Sequence, residues 1–436
     1  MAVTEERIID NPSWAQRLGT SFKGVLAGLA LFVAGFPILF WNEGRAVDTG
    51  KSIAELAAAA VNVSADKVDA ANEGKPVHVS GKADTQAILT DAVFGVSTNA
   101  LRLMRTVEVY QTVEHSETKR EKRGDKTIER TTYTYSNEWC DKPVDSSNFH
   151  EEKRRTANPP AAMPFFDADW IAPDVTLGAF TLSERHVKRM GEKRQFAFPV
   201  DFKPPATVPG GQYQNGYIYV PFTTTPSAAP VPAPASSVVS PLLAAAQAAT
   251  NVSAAVANAA ATAITGGRSV VTAPVPGDVR VRFDVVLPHD VTFVERQEGN
   301  SLVQWVDSRG NEPPSNMTFS DGRVSLDVLA ARGKSRNKML TWLLRLVGLL
   351  VMYFGLKKVL GPLDTLVDAI PILNGIIAMG TSLVAGLVSA ACALITIGVA
   401  WIYYRPWIGI PLVAGGLALL VTVFLKKRKT AAAAAA

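Results

Sequence analysis

Side chains that could carry acid–base or metal chemistry are scattered in this sequence. The histidines are His78, His115, His150, His186 and His289. None lies at the spacing of an H-E-x-x-H or C-x-x-C metal motif, and no G-x-S-x-G nucleophile motif or phosphate-binding glycine loop occurs. A histidine between a proline and an aspartate, as at position 289, is typical of a turn. We predict that the protein is not an enzyme and has no catalytic, cofactor-binding or metal-binding residues.

Two carboxylates and a phenol share one face of a predicted strand. Glu108, Tyr110 and Glu114 are separated by even numbers of residues, and alternate side chains of a strand point the same way. Paired carboxylates can do general acid–base work. The same pattern is also typical of a solvated face whose charges pair with the neighbouring strand. The sequence leaves both interpretations open.

Arg345 is the charged residue within the apolar segments. Placing its charge in hydrocarbon costs free energy unless water or a partner side chain contacts it. It lies near the start of an apolar segment, so its side chain can extend to the nearer membrane interface. Alternatively, it has a partner on another helix or lines a pore. The other polar residues in the apolar segments are scattered, whereas a proton relay or an ion path usually needs more of them.

Four apolar segments must position these residues: 24–41, 339–356, 376–403 and 407–425. Each has about the length of a helix that crosses ~30 Å of hydrocarbon. Aromatic rings prefer membrane interfaces. Aromatic residues lie at or near the two ends of the segments: Trp41, Trp342, Trp401, Tyr403, Tyr404 and Trp407. We predict an integral membrane fold, with an α-helical four-span anchor and a large mainly-β (α+β) extracytoplasmic domain over residues 42–338.

Basic residues beside the segments predict the orientation. The N-terminal tail, residues 1–23, carries Arg7, Arg17 and Lys23, and the connector 357–375 begins with Lys357 and Lys358. The tail 426–436 begins with four basic residues. We predict that these three regions are cytoplasmic. The turn Tyr404-Arg405-Pro406 makes the last two spans a helical hairpin, and Arg405 is predicted to lie at the membrane interface. The connector has apolar and acidic residues on opposite sides, which predicts an amphipathic surface helix; the alternative is a plain loop.

The basic residues also indicate partners. The net charge of +5 is modest and concentrated at membrane flanks, which argues against nucleic acid and for the lipid bilayer as a partner. The residues expected to touch lipid headgroups are Arg332, Lys334, Arg336 and Lys338. A second basic cluster at residues 119–126 forms the tip of a predicted hairpin. It could meet anionic lipid or an acidic partner, or be a plain solvated turn.

Small residues recur on two spans and predict close helix packing. Gly24 and Gly28 form a G-x-x-x-G step in the first span, and Ser382, Gly386 and Ala390 recur every four residues in the third. The packing partner is either another helix of the same chain or a second copy. We expect a homo-oligomer to which the first and third spans contribute.

The block between the first two spans reads as a β-rich domain. Residues 101–117 and 127–139 alternate with period two and predict a long hairpin. Further strands are expected at 77–80, 216–222, 279–287, 291–297, 302–306 and 323–329, with helices at 51–63 and 183–190. Residues 223–276 are rich in alanine and proline and are interpreted as an insertion. Cys140 and Cys392 lie in different regions, so no intramolecular disulfide is expected.

Several short motifs occur in an order that resembles the transmembrane protein 43 family, also called the LUMA family. They begin with Asn42-Glu43-Gly44-Arg45-Ala46 and Asn72-Glu73-Gly74. The hairpin contributes Glu108, Tyr110, Gln111, Glu114, Tyr133, Tyr135, Glu138 and Trp139. The last are Thr365-Leu366-Val367-Asp368, Pro371 and Tyr404-Arg405-Pro406. The resemblance covers residues 24–425 except the insertion.

The resemblance implies four spans and a large domain in the lumen of the endoplasmic reticulum or the perinuclear space. Eukaryotic members of the family reside at the inner nuclear membrane, self-associate and engage lamina-linked membrane proteins. The alanine- and proline-rich insertion departs from their pattern and suggests a bacterial member, with the domain in the periplasm. Lamina-linked partners then do not carry over.

These observations favour a non-enzymatic membrane scaffold that self-associates and organises other membrane or extracytoplasmic proteins. The alternative is a transporter or channel subunit, which rests on Arg345 and the four spans.

Overall fold

The computed structural model describes residues 3–10, 14–123, 126–159, 164–222, 269–362 and 371–411. The chain divides into two compact units. The β-rich unit comprises residues 1–10, 61–303 and 319–324, and the helical unit comprises residues 11–60, 304–318 and 325–436. Most of the predicted insertion (223–276), residues 363–370 of the predicted connector (357–375) and most of the predicted fourth span lie outside the described residues.

The described α-helices are α1 (Trp14–Ala59), α2 (Glu184–Arg189), α3 (Ser315–Thr318), α4 (Leu326–Val359) and α5 (Pro371–Tyr404). Residues 406–411 are also helical. The first strands are β1 (Val3–Asp10), β2 (Val61–Ser64), β3 (Pro76–Asp84), β4 (Ile88–Asp91), β5 (Val96–Asn99), β6 (Arg102–Arg123), β7 (Lys126–Cys140) and β8 (Ala168–Ile171). They are followed by β9 (Val175–Leu177), β10 (Phe180–Leu182), β11 (Lys193–Gln195), β12 (Gln212–Gln214), β13 (Tyr217–Val220), β14 (Val279–Val286), β15 (His289–Glu298), β16 (Ser301–Val303) and β17 (Phe319–Asp321).

An eight-stranded sheet forms one part of the β-rich unit. Its main path is β1-β7-β6-β14-β13-β12, with β11 paired to β14 and β8 paired to β6. Val107, Val281 and Ile218 lie on its buried face, while the alternate residues point outward. The predicted hairpin is confirmed, and its strands β6 and β7 extend through most of the predicted basic turn.

The second sheet closes on itself. Strands β15, β16, β10, β9 and β3 form a ring of five, because β3 pairs with both β9 and β15. Strands β2 and β17 attach to this small barrel at β3 and β15. Closing the ring removes most of the edges at which strands of another chain could pair. One continuous hydrophobic core includes Val79 and Phe293 of the barrel together with Phe283 of the eight-stranded sheet.

Three helices of the helical unit are long and apolar enough to cross a membrane within the described part of the chain. They are Lys23–Ala59, Leu326–Val359 and Gly380–Tyr404. Helices α1 and α4 continue well beyond the spans predicted at 24–41 and 339–356. The predicted strand at 323–329 is wrong. Ser325 is the N-cap of α4 and Asp327 lies in its first turn, so the apolar residues from position 326 onward belong to a helix.

Helices α1 and α4 approach so closely that glycine is required at the contact. A Cβ on Gly28 would lie 2.6 Å from the carbonyl oxygen of Gly355, and a Cβ on Gly355 would lie 2.5 Å from the amide nitrogen of Phe32. Farther along, Gly348 faces the side chain of Leu39, which is fully buried. Small residues that let backbones meet are a main source of helix association in lipid.

Candidate functional site

A buried ion pair joins α1 and α4. The Nε and Nη2 atoms of Arg345 donate to the two carboxylate oxygens of Glu43 at 2.6 and 2.9 Å. The side chain of Glu43 is 1% exposed and that of Arg345 is 14% exposed. This fork geometry is the strongest form of an arginine–carboxylate pair. The structure thus gives Arg345 the interhelical partner that the sequence had left as one of three possibilities.

Two tryptophans complete the surroundings of this pair. The Nε1 atom of Trp401, on α5, donates to Glu43 Oε2 at 2.8 Å, so the carboxylate receives three hydrogen bonds. The guanidinium carbon of Arg345 lies 4.7 Å from the ring centre of Trp342 and 5.7 Å from that of Trp401. Cation–π contact and complete hydrogen bonding together offset the cost of removing the charges from water. All three helices therefore meet at Glu43.

A second layer of polar contacts lies one turn away and again joins α1 to α4. Arg45 donates to Asn337 Oδ1 at 3.1 Å and to Thr341 Oγ1 at 3.0 Å. Asn42 donates to the carbonyl oxygen of Thr341 at 3.0 Å, and Asn337 donates to that of Ala46 at 2.8 Å. Three residues of the Asn42–Arg45 motif thus bind α4 or α5 through their side chains.

Gly44, which lies between Glu43 and Arg45 in that motif, packs against an aromatic ring. A Cβ at position 44 would lie 2.6 Å from the Cζ atom of Tyr404. Tyr404 also lies 5.2 Å, ring centre to ring centre, from Phe40. A side chain at position 44 would displace the ring of Tyr404 from its place beside α1, so glycine at this position lets the ring pack there.

A half-open cavity of about 330 Å³ adjoins the ion pair. It is lined by Ala46, Lys334, Asn337, Lys338, Thr341, Trp342, Arg345, Trp401 and Arg405. Most of the lining residues of α4 fall on one stripe because they are three or four positions apart. The structure therefore brings together six residues that the sequence placed at a membrane interface, namely Lys334, Lys338, Trp342, Arg345, Trp401 and Arg405. Arg332, Arg336, Trp41 and Trp407 are exposed and do not line the cavity.

The small residues singled out in the first and third spans have different surroundings. Gly28 is at the α1–α4 contact, while a Cβ on Gly24 would meet nothing within 4 Å. On α5 the row buried within the chain is Thr381, Ala385, Ser389 and Ala393. The predicted row of Ser382, Gly386 and Ala390 lies one residue farther along and is partly exposed. A Cβ on Gly386 would make only an ordinary contact of 4.0 Å with Tyr353.

The carboxylates singled out on the hairpin pair with neighbouring groups. Arg280 Nε donates to Glu108 Oε2 at 2.6 Å, and the hydroxyl of Tyr135 donates to Glu114 Oε2 at 2.6 Å. Burial, followed by the hydrogen bond to Glu114, raises the pKa of Tyr135 to about 12. Glu114 also accepts the backbone N–H of His150, so this phenol and carboxylate hold a loop on the hairpin. The cross-strand interpretation fits these contacts better than acid–base chemistry.

The outward face of the eight-stranded sheet carries a cluster of aromatic rings around one arginine. The guanidinium carbon of Arg280 lies 4.7 Å from the ring centre of Trp139 and 4.8 Å from that of Tyr217. Tyr110 and Tyr219 pack against Trp139 at 5.1 and 5.8 Å. We call these five residues the aromatic–arginine face. All four rings are partly exposed. Tyr110 and Trp139 are among the motif residues, whereas the three others were not singled out from the sequence.

Sequence reasoning missed a buried glutamate in the barrel. Glu295 of β15 is 1% exposed and accepts hydrogen bonds from Arg185, His186 and Arg189 at 2.7, 2.8 and 2.6 Å. Burial alone would raise the pKa of Glu295, but the hydrogen bond from His186 and the positive charges around it outweigh burial and lower it. The sequence feature that could have revealed Glu295 is its position two residues after Phe293, on the inward face of an apolar strand. The contacts fasten α2 to the barrel.

Comparison with known proteins places the chain in a family. The profile described as Transmembrane protein 43 matches residues 109–406, which is more than half of the 436-residue chain. The chain belongs to the transmembrane protein 43 family. It is 27% identical over 429 residues to Transmembrane protein 43 of Homo sapiens, covering 96% of this chain and 93% of the human protein. The Transmembrane protein 43 homolog of Drosophila melanogaster is 27% identical over 415 residues, covering 93% of this chain and 95% of that protein.

No solved structure matches this chain. The family membership, together with three apolar helices and the barrel and sheet, shows an integral membrane protein with an α+β domain. Among the described residues, no group of three or more histidine, cysteine, aspartate or glutamate side chains is arranged to hold a metal ion.

Proposed function

We propose that this protein is a non-enzymatic membrane scaffold. Its β-rich unit binds other membrane or extracytoplasmic proteins, and its helices anchor it and associate with further copies. The unit lies outside the cytoplasm, in the periplasm if the chain is bacterial, or in the equivalent endoplasmic-reticulum or perinuclear lumen. Integral membrane character and family membership support the anchor. The binding role rests on the aromatic–arginine face.

The composition of that face is typical of protein interfaces. Tyrosine, tryptophan and arginine supply most of the energetic hot spots at such interfaces. The charges are already matched within the chain, because Arg280 pairs with Glu108 and Arg282 pairs with Asp284. A highly charged partner would gain little from a neutral surface. We therefore expect a protein partner that presents apolar or uncharged side chains.

The helical unit supports anchoring and self-association. The Glu43–Arg345 pair and the glycine contacts fix α1 against α4, which stabilises the membrane anchor. The partly exposed row of Ser382, Gly386 and Ala390 leaves a helix surface on which a second copy could pack closely.

Photo-crosslinking in native membranes tests the binding role. A photoreactive phenylalanine analogue in place of Tyr219 should give discrete adducts with one or a few proteins. The same analogue in place of Thr176, an exposed strand residue of the barrel, is the matched control and should give none of these. Trp139→Ala should abolish the adducts from position 219 while circular dichroism stays unchanged. Identical adducts from both positions, or adducts indifferent to Trp139→Ala, would refute the proposal.

The channel alternative makes a different prediction. A residue of an ion path must exchange partners with water or ions, whereas Arg345 is bound by Glu43 and flanked by two tryptophans. We expect purified protein in liposomes to show no ion flux above that of empty liposomes. Flux that Arg345→Ala abolishes would favour the channel over the scaffold.

A further inference from the structure

The cavity beside the ion pair has an unbalanced positive charge. Lys334, Lys338 and Arg405 line it, and among the residues that the structure describes these three form no ion pair. Glu43 binds Arg345 and Trp401 of the cavity wall, and these two donors already occupy both of its carboxylate oxygens. An anion from outside the chain would therefore neutralise the positive charges of these three side chains.

The walls of the cavity combine this charge with apolar surface. Trp342 lines it and is 60% exposed, and Met339 and Leu343 beside it on α4 are 66% and 53% exposed. Farther along α4, Leu346 and Leu350 are also exposed, which continues the apolar surface into the predicted span. A phospholipid in a membrane has an anionic headgroup at the interface and acyl chains in the apolar layer. The helical unit has a matching order of surfaces, with cations first, then tryptophans, then an exposed apolar helix surface.

We propose that this cavity binds the phosphate group of an anionic phospholipid. Lys334, Lys338 and Arg405 bind the phosphate oxygens, the rings of Trp342 and Trp401 flank the glycerol region, and the acyl chains lie along the apolar surface of α4. The cavity of about 330 Å³ is within the range of small-molecule sites, about 300–1,000 Å³. Free phosphate shares the recognised chemistry but would leave the apolar surface unused.

The site also has a fixed geometry. The hydrogen bonds of Asn337 to Ala46 and of Arg45 to Asn337 hold the cationic stripe of α4 against α1. A bound lipid would therefore meet a preformed site, which lowers the entropic cost of binding. Because the site is formed by the helices and not by the β-rich unit, a test of the lipid site is independent of the proposed scaffold role.

Native mass spectrometry of the full chain in mild detergent tests the proposal. Wild-type protein should retain dioleoyl-phosphatidylglycerol in preference to dioleoyl-phosphatidylcholine. Lys338→Gln should weaken binding of the anionic lipid about five- to tenfold, the usual effect of one cation at a membrane surface or phosphate. Lys338→Gln with Arg405→Gln should weaken it further. Arg336→Gln removes one charge from the same helix outside the cavity and should leave binding unchanged.

Two further measurements keep the result interpretable. Circular dichroism of each variant shows that the helices remain folded, so a loss of lipid is not a loss of structure. Inorganic phosphate is added in excess in a parallel arm and should neither displace the lipid nor raise the melting temperature as the lipid does. Equal stabilisation by phosphate would overturn the lipid as the ligand. No preference for anionic lipid, or an equal effect of Arg336→Gln, would overturn the site itself.

Discussion

At the scale of single residues, the Glu43–Arg345 pair decides how the helical unit is held. Removing one partner leaves the other charge buried and unpaired, which is far more costly than losing the attraction itself. Arg345→Met should therefore lower the free energy of unfolding by about 3–5 kcal/mol, measured by denaturation in detergent. Glu43→Gln combined with Arg345→Met should recover most of that loss, because no uncompensated charge remains.

A more exposed pair in the same unit provides the control. Asp48 pairs with Arg309 at 3.0 Å, with side chains 47% and 32% exposed. Because solvent screens such a pair, Asp48→Asn should cost less than about 1 kcal/mol. If Arg345→Met costs no more than Asp48→Asn, the buried pair does not hold the helices.

Glu295 gives the β-rich unit a defined response to acid. Its pKa is lowered below the ordinary value of 4.5, so its ionised form stabilises the fold above pH 4.5. That contribution is lost as the pH falls through the lowered pKa. The stability difference between wild type and Glu295→Gln should be largest at neutral pH and shrink below pH 4.5, followed by tryptophan fluorescence. Glu298→Gln, on the same strand but exposed, should show no such trend. A difference independent of pH would show that charge is not the cause.

These residues also show what sequence can and cannot reveal. Arg345 could be flagged because a lone charge in an apolar segment is costly, but its partner is about 300 positions away and no local pattern connects the two. Glu43 was found only as part of a motif that resembled a family. Glu295 was missed because its three partners come from a separate short helix, and sequence periodicity does not record contacts between elements.

At the scale of elements, the glycines of α1 separate packing within a chain from packing between chains. Gly28→Leu should lower the melting temperature of the monomer, because its side chain would collide with the backbone of α4. Gly24→Leu is the matched control, one turn away with open space around it, and should be neutral. Gly386→Leu should leave the monomer stable and weaken association in light scattering. Equal effects of Gly24→Leu and Gly28→Leu would contradict the α1–α4 contact.

The pairing of strand β1 with β7 conflicts with the predicted membrane topology. Thr4 of β1 is opposite Thr132 of β7, so cysteines there could form a disulfide. If α1 crosses the bilayer, β1 and β7 lie on opposite sides and cannot pair. Burying an apolar helix in lipid outweighs one exposed edge-strand pairing. We therefore expect no disulfide from Thr4→Cys with Thr132→Cys in native membranes, in a background without Cys140 and Cys392.

The same hairpin supplies the control for that experiment. Thr118 and Thr131 are opposite one another on β6 and β7, and their Oγ atoms are 3.0 Å apart. Thr118→Cys with Thr131→Cys should cross-link wherever the hairpin lies. A disulfide between positions 4 and 132 in intact membranes would overturn the predicted location of the N-terminal tail.

The elements themselves were largely predictable where their pattern is strong. The long hairpin, the strands around residues 281 and 294 and the apolar helices have clear periodicity, and the structure contains them. The strand expected at 323–329 was wrong because alternating apolar residues there coincide with a helix start. The closed barrel was not foreseen, since its strands β9, β10 and β16 have three residues each and carry little periodic signal.

At the scale of the whole molecule, the proposed scaffold holds its membrane helices together through buried contacts and presents a surface of its β-rich unit to partners. Both the aromatic–arginine face and the partly exposed row on α5 would be used only in larger assemblies. Family membership is consistent with this description but does not by itself assign a partner.

The size of the native complex tests this claim most directly. Extracted from native membranes in mild detergent and measured by light scattering, wild-type protein should form particles larger than one 46.6-kDa chain after correction for detergent. Trp139→Ala with Tyr219→Ala, at unchanged helix content, should reduce the particle mass by loss of bound proteins. A wild type that is strictly monomeric and free of other proteins would contradict the scaffold account.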